Sequence, residues 1–315
     1  MTTEKLLIIH QGALGDFILT FPAIIRLQKY FDVIDVLCQS GIGKLAKALG
    51  LVAKWHPLEA AYVASLFTDR VDSKIKTLLT PYANIILFTL SDKLEQTINH
   101  ISAKPSCRMP PKLPIHVRLH LTEFVMKNLI NCGLIRSPDA VLDDIPLPNR
   151  RSQPQNGDRI LLHPGAGSIR KRWPMANFLE VEAILKADGL KPEYILGPAE
   201  ADLVDELQHP DRTVHALSDL LDLTVLLKSA GGYIGNDSGP SHLAAFLGLP
   251  ATVIFGPADP KRWTPVGRNV AIVRPEMECR PCFETEKANC DDPKCLTKTT
   301  QQQVIRAFYR KYGAF

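Results

Sequence analysis

Short apolar runs alternate along the chain with stretches whose apolar residues recur at helical spacing. Lys5 to His10 predicts a buried strand, Gln11 to Gly15 a Gly-rich turn, and Phe17 to Tyr30 a helix; Val33 to Cys38 and Ile85 to Leu90 predict further strands. Continuous apolar strands between helices point to a parallel sheet covered on both faces, so the first half is expected to be doubly wound. Lys104 to Pro114 is basic and Pro-rich and reads as an exposed loop before a helix over His116 to Cys132. Ile145 to Asp158, polar and Pro-rich, is the best linker.

The pattern then restarts. Strands are expected at Arg159 to His163, Glu193 to Leu196, Gly232 to Ile234 and Ala251 to Phe255. Helices are expected at Ala176 to Asp188, Glu200 to Gln208, Ser241 to Leu247 and, closing the chain, Thr299 to Tyr312. Two doubly wound α/β domains follow, and ligands of such sheets sit at the carboxyl ends of the strands, so a cleft between the domains is the expected site.

Composition narrows the class. The 315 residues suit two domains, and 45% hydrophobic with 22% charged residues is ordinary for a folded globular protein. A net charge of +4 does not call for nucleic acid as a partner, yet suits visits to an anionic membrane surface. The apolar run Leu6 to Ile9 is far shorter than a signal peptide's core or a spanning helix, which predicts a cytoplasmic protein. Of seven cysteines, Cys38, Cys107 and Cys132 are scattered and read as free thiols in a reducing compartment. Cys279, Cys282, Cys290 and Cys295 are clustered and admit a structural zinc, a pair of disulfides, or a thiol-rich loop with neither.

Three strand-end turns carry the candidate chemistry. In Gly12-Ala13-Leu14-Gly15-Asp16, two glycines allow close backbone approach to a ligand, and Asp16 falls at the helix start, either as a functional carboxylate or as a cap. His163-Pro164-Gly165-Ala166-Gly167-Ser168 has the small residues of a phosphate nest, and Arg170, Lys171 and Arg172 follow as a phosphate clamp or a solvated face. It is not a dinucleotide fingerprint, because Arg170 stands where the third glycine belongs, and the chain has no P-loop. Gly235-Asn236-Asp237-Ser238-Gly239-Pro240-Ser241-His242 packs turn formers, a carboxylate and hydroxyls at a helix start, where free N–H groups and the helix dipole favour a diphosphate. Gly256 to Pro260 adds a further loop on that rim.

Together these motifs resemble glycosyltransferase family 9, the ADP-heptose:lipopolysaccharide heptosyltransferases and their relatives. The likeness runs through Gly15 to Ala23, His163 to Gly165, Lys171 to Pro174, Asn236 to Ala244 and Phe255 to Pro260, and the cysteine cluster is similar to one common in that family. It implies a GT-B fold: an acceptor-binding domain over 1–152, a nucleotide-sugar donor domain over 153–298, facing across a cleft, and a final helix over 299–315 returning toward the first domain. It implies inverting transfer, with Asp16 as general base and Lys171 countering the charge of the leaving diphosphate. Glu200 matches a ribose-contacting acid, and Asp237, Ser238, Gly239 and His242 match the nucleotide-sugar loop, joined by Gly165, Ala166, Gly167 and Ser168.

No Asp-x-Asp occurs, so the usual divalent-metal clamp on the diphosphate is missing and no cofactor is expected beyond an ADP-sugar donor. The acceptor side is assigned to Gly12, Gly15, Arg108, Arg118 and His120, with cations able to meet phosphates of a lipid-linked or lipopolysaccharide glycan at the inner face of the inner membrane. Two other readings share the scaffold: a nucleotide-sugar epimerase or hydrolase, and a non-catalytic nucleotide-sugar binder.

Overall fold

The computed structural model describes residues 4–68, 70–102, 104–137, 145–148, 156–284, 290 and 292–313. The chain divides into two compact units, Met1–Ile145 and Pro146–Phe315. The linker expected over Ile145 to Asp158, and with it the boundary expected after residue 152, lies largely outside the described residues.

The first unit holds β1 (Lys5–His10), β2 (Val33–Cys38), β3 (Lys54–Pro57), β4 (Asn84–Phe88) and β5 (Cys107–Met109). Their order is β3-β2-β1-β4-β5 and every pairing is parallel. The chain runs from β1 to one edge and then crosses back to β4, so the strand order reverses between β1 and β4. The loop after β1 therefore opens at the switch point, where such sheets bind ligands.

Two expected helices are shorter. Phe17 to Tyr30 is two helices, α1 (Leu14–Ile18) and α2 (Phe21–Leu27). Thr20 Oγ1 donates to the Phe17 carbonyl at 2.6 Å, and Pro22, with no N–H, cannot continue the ladder of the first helix. After α3 (Ser40–Ala48), α4 (Ser73–Leu79) and α5 (Asp92–Ile101), helix α6 spans Leu121–Asn131. It starts at His120, whose Nδ1 accepts from the Thr122 N–H at 3.3 Å.

The loop expected over Lys104 to Pro114 contains β5, which pairs with β4 from Ile86/Cys107 to Phe88/Met109. Proline spares the three residues Cys107–Met109, and these suffice for a short edge strand. The expectation of free thiols at Cys107 and Cys132 is corrected as well. Helix α6 packs on β5, its C-cap Cys132 comes within 5.7 Å of Cys107 between Cα atoms, and the two form a disulfide.

The second unit holds β6 (Asn156–His163), β7 (Lys191–Leu196), β8 (Val214–Ala216), β9 (Ala230–Asn236), β10 (Ala251–Ile254) and β11 (Val270–Val273). The order is β11-β10-β9-β6-β7-β8, again wholly parallel, with the reversal between β6 and β9. Its helices are α7 (Met175–Ala187), α8 (Val204–Leu207), α9 (Leu220–Ser229), α10 (Gly239–Phe246), α11 (Pro260–Trp263), α12 (Lys294–Thr297) and α13 (Gln301–Tyr312). Where one helix was expected over Glu200 to Gln208, a 3-10 segment, Pro198–Leu203, precedes α8.

Helix α13, expected to return toward the first domain, packs on β9, β10, β11 and α7 of the second unit. A Thr300/Gln303 capping box starts it and left-handed Gly313 ends it. Its Phe308 is fully buried, stacks on Tyr312 at 4.9 Å and lies so close to Gly232 that a Cβ there would meet the ring at 2.7 Å. Phe308 thus joins Trp173, Phe178 and Tyr194 in one core. Among the described residues no helix is long and apolar enough to cross a membrane.

Phe308→Ala leaves a hole over Gly232 that the rigid sheet cannot close. A loss of about 3–5 kcal/mol is expected, read as a lower urea midpoint at unchanged slope for the transition of the second unit.

Candidate functional site

Strand pairing decides which loops meet. His163, the last residue of β6, is in register with Gly235 of β9, so the loops that follow both strands start side by side. Asn236 ties them together. Its fully buried amide donates to the carbonyls of Pro164 (2.7 Å) and Gly165 (3.3 Å) and accepts from the Trp173 N–H (3.0 Å). Trp173 is fixed in turn by its indole N–H, which donates to the Thr299 carbonyl at 3.0 Å.

This arrangement brings Lys171 to Asp237. Ser168 Oγ caps the 3-10 turn Ile169–Lys171 by accepting from the Arg170 N–H, and Lys171 Nζ lies 2.8 Å from Asp237 Oδ2. His242 Nε2 approaches the other carboxylate oxygen at 3.7 Å. Burial pushes the Asp237 carboxyl up, but the His242 imidazole and the Lys171 charge outweigh it and hold the group below its ordinary 3.8. Phe283 lies beneath the cation, its ring centre 4.4 Å from Lys171 Nζ. Its backbone N–H donates to the Pro257 carbonyl, and Glu284 beside it binds Arg262 (2.5 Å) and the Trp263 indole (2.8 Å).

Within the basic run Lys171 is paired with Asp237. Arg172 is held by Asp202 (2.5 Å) and the Ala199 carbonyl, and Arg170 stands 5.6 Å from the Phe283 ring centre. Gly165 and Glu200 are in contact, since a Cβ at Gly165 would lie 2.3 Å from the Glu200 carboxyl carbon. Burial pushes Glu200 up, while His163, the Gly197 N–H and Arg172 hold it below its ordinary 4.5. Ala166 is buried, and a Cβ at Gly167 would meet nothing within 4 Å among the described residues.

In the first unit the turn after β1 sets Gly12, Gly15 and Asp16 at the switch point. Ala13 is the N-cap of α1 and Asp16 its third residue, so Asp16 is not the N-cap. A Cβ at Gly12 would lie 2.6 Å from His10 Cε1 and 3.3 Å from Asp16 Oδ2, so all three crowd one point. His10 accepts the Gly12 N–H at 3.1 Å, and burial lowers its pKa to about 3, which keeps the ring neutral. Arg108, assigned to the acceptor on sequence, is instead held by Asp92 (2.7 Å), Glu95 (2.6 Å) and the carbonyls of Thr89 and Leu90. Its short strand β5 lies beside the end of β4, where α5 presents both acids, so its charge is already matched. His120 caps α6, and Arg118 is exposed in the segment before it.

The clustered cysteines Cys279, Cys282, Cys290 and Cys295 line a cavity of about 510 Å³ with Met277, Leu296 and Arg274. No disulfide pairs them, which corrects that alternative. Burial and the nearby sulfurs of Cys282, Cys279 and Cys290 push the Cys295 thiol up. Among the described residues no group of three or more His, Cys, Asp or Glu side chains is arranged to hold a metal ion.

His10, Phe283, the contacts of His163 and the bridging role of Asn236 were not read from the sequence. A strand-end histidine in an apolar run, and an aromatic amid the polar residues 279–284, are the signals that were present.

Two parallel, doubly wound α/β units with polar loops at the carboxyl ends of their strands define the class: a two-unit doubly wound α/β protein whose second unit pairs a lysine with a buried aspartate. Residues 140–291 match the model of glycosyltransferase family 9 (heptosyltransferase). Lipooligosaccharide heptosyltransferase 2 of Campylobacter jejuni subsp. jejuni serotype O:2 is 28% identical over 161 residues, 48% of this chain and 50% of that protein. The chain thus aligns with about half the length of that curated relative. Among solved structures, the glycosyl transferase family 9 protein of Veillonella parvula DSM 2008 superposes with a TM-score of 0.78 at 17% identity, over 99% of this chain and 98% of that one. The E. coli ADP-heptose lps heptosyltransferase II gives 0.75 at 17% identity, over 98% of each chain. The fold is GT-B.

Asp237 and Glu200 both have folded values below their ordinary ones, so the stability they contribute is complete above those ordinary values and drains away as the pH falls through the folded ones. The urea midpoint of the second unit should therefore drop as the pH is lowered below about 4. Asp237→Asn should cost about 3 kcal/mol at neutral pH, by leaving Lys171 beside an uncharged partner, and should make that acid decline shallower.

Proposed function

We propose that the protein is an inverting glycosyltransferase that moves heptose from ADP-heptose to a lipopolysaccharide core or related surface glycan, with the second unit holding the donor and the first the acceptor. The observation that carries this reading is the Lys171–Asp237 pair at the carboxyl rim of a sheet within the family-matched segment. A buried-edge cation beside the start of α10 suits the diphosphate of a nucleotide sugar. Glu200 and the Gly165 to Ser168 turn would take the nucleoside side, and Asp237, Ser238, Gly239 and His242 the sugar-diphosphate side.

In the reaction, an acceptor hydroxyl attacks the anomeric carbon, the bond from that carbon to the diphosphate oxygen breaks, and the hydroxyl proton passes to Asp16. The electron pair leaves with ADP, whose new charge Lys171 meets. Exchange of Lys171 from Asp237 to the phosphate is a small motion that binding itself would drive. Gly12 and Gly15 let the acceptor approach the backbone, and Arg118 and His120 stand on the acceptor side. Arg108 serves there by fixing the rim, since Asp92 and Glu95 already match its charge. The work is done at the inner face of the inner membrane, with peripheral contact only.

Asp16→Asn is expected to reduce transfer by at least about a thousandfold while ADP affinity stays within about twofold of the parent, because the lost group acts on the acceptor proton. Lys171→Ala should weaken ADP binding and turnover together. Radiolabelled heptose transfer and calorimetry with ADP read the two. Equal loss of ADP affinity in Asp16→Asn would overturn the assignment of Asp16 as base.

A further inference from the structure

His163 ends β6 with its ring almost wholly buried, at 2% exposure, so it is placed to act on a ligand only through its neighbours. Those neighbours belong to different loops. On one edge of the ring, Nδ1 lies 3.2 Å from Ser238 Oγ; on the other, Nε2 lies 3.7 Å from Glu200 Oε2. The ring's own position is set by the parallel ladder, through the His163/Gly235 register, and so depends on neither loop.

Each partner departs from the usual arrangement of its segment, Ser238 in its hydrogen bonding and Glu200 in its backbone. Ser238 is the N-cap of α10, yet its hydroxyl makes no capping bond to that helix. It turns instead to His163 and to Ser241 Oγ (3.2 Å), whose own hydrogen goes to the Asn236 carbonyl (2.5 Å). The first amides of α10 are thereby left uncovered by their natural cap. Glu200 sits at a non-helical kink (φ −112, ψ 19) inside the 3-10 segment and is 4% exposed, pressed against Gly165, with the Gly197 N–H donating to its Oε2 at 2.8 Å.

We propose that His163 is a positioning residue that fixes both halves of the donor site from one rigid strand end, Nδ1 drawing the Ser238 hydroxyl off the α10 amides and Nε2 holding the Glu200 carboxylate against the Gly165 loop. This rests on the reading of the second unit as the nucleotide-sugar site. The imidazole is a spacer with two polar ends: it sets the distance between the anion-binding start of α10 and the acid on the nucleoside side.

The two ends can be removed separately, because an Asn amide reaches about as far as Nδ1 and a Gln amide about as far as Nε2. His163→Asn keeps the Ser238 contact and loses that to Glu200; His163→Gln does the reverse. With ADP as probe in calorimetry, His163→Asn should weaken binding on the order of tenfold, the size of one polar contact to a charged group, and to the extent that Glu200→Gln does. The double variant His163→Asn/Glu200→Gln should bind no more weakly than Glu200→Gln alone, and His163→Gln/Ser238→Ala no more weakly than Ser238→Ala. A residue that merely fills the core would give no such matched pairing. If the effects multiply in both double variants, or if both single His163 variants bind ADP within about twofold of the parent, the proposal is overturned while the donor-site reading stands. If the parent protein itself does not bind ADP, the donor-site reading falls and the proposal with it.

Discussion

The second unit depends on one buried amide. A loop that leaves a sheet and stays buried must find partners for its own carbonyls and N–H groups, and each one left unmet costs about 1–3 kcal/mol. Asn236 meets three of them at once, two carbonyls after β6 and one N–H after the Lys171 turn. Any aliphatic residue would orphan all three, and Asp could not donate to the carbonyls. The side chain is therefore specified by the loops around it, and they by it. Without that bond set, Lys171 and Asp237 would be adjacent only by chance.

The electrostatics follow from the same geometry. An aspartate that is 3% exposed carries a solvation penalty that an ion pair offsets only in part, so the Lys171–Asp237 contact is a poor device for stability. It is a better device for holding a cation ready. Lys171 is kept at the rim by a carboxylate on one side and the Phe283 ring on the other, where under the proposed function it would meet an incoming phosphate. A charge ordered before the ligand arrives loses less on binding, which is where preorganised sites gain. Phe283 in turn depends on Glu284, anchored by Arg262 and Trp263, so the polar cluster behind the rim acts as its support.

Much of this was legible in the sequence, for a physical reason. Parallel strands buried on both faces leave continuous apolar runs, and β1, β2, β4, β6, β7, β9 and β10 were each located by them to within a few residues. The strands that escaped, β3, β5, β8 and β11, are edge or outer strands of three or four residues, half-exposed or flanked by proline, with too little burial to imprint a pattern. The break between α1 and α2 was written in Thr20 and Pro22 but hidden by an unbroken helical apolar spacing. In the site, turn-forming and charged residues announced themselves. What did not was pairing at a distance: Arg108 read as a free cation because Asp92 and Glu95 are sixteen and thirteen positions away. The Cys107–Cys132 bond, across 25 positions, was invisible for the same reason.

The two units also solve opposite chemical problems at the same topological place. At the β1 switch point the carboxylate of Asp16 lies by a histidine that burial keeps neutral. At the β6 switch point the acids are the ones held down, by Lys171, His242 and His163, and the lysine is what remains to act. Under the proposed transfer the proton acceptor belongs to one unit and the phosphate cation to the other.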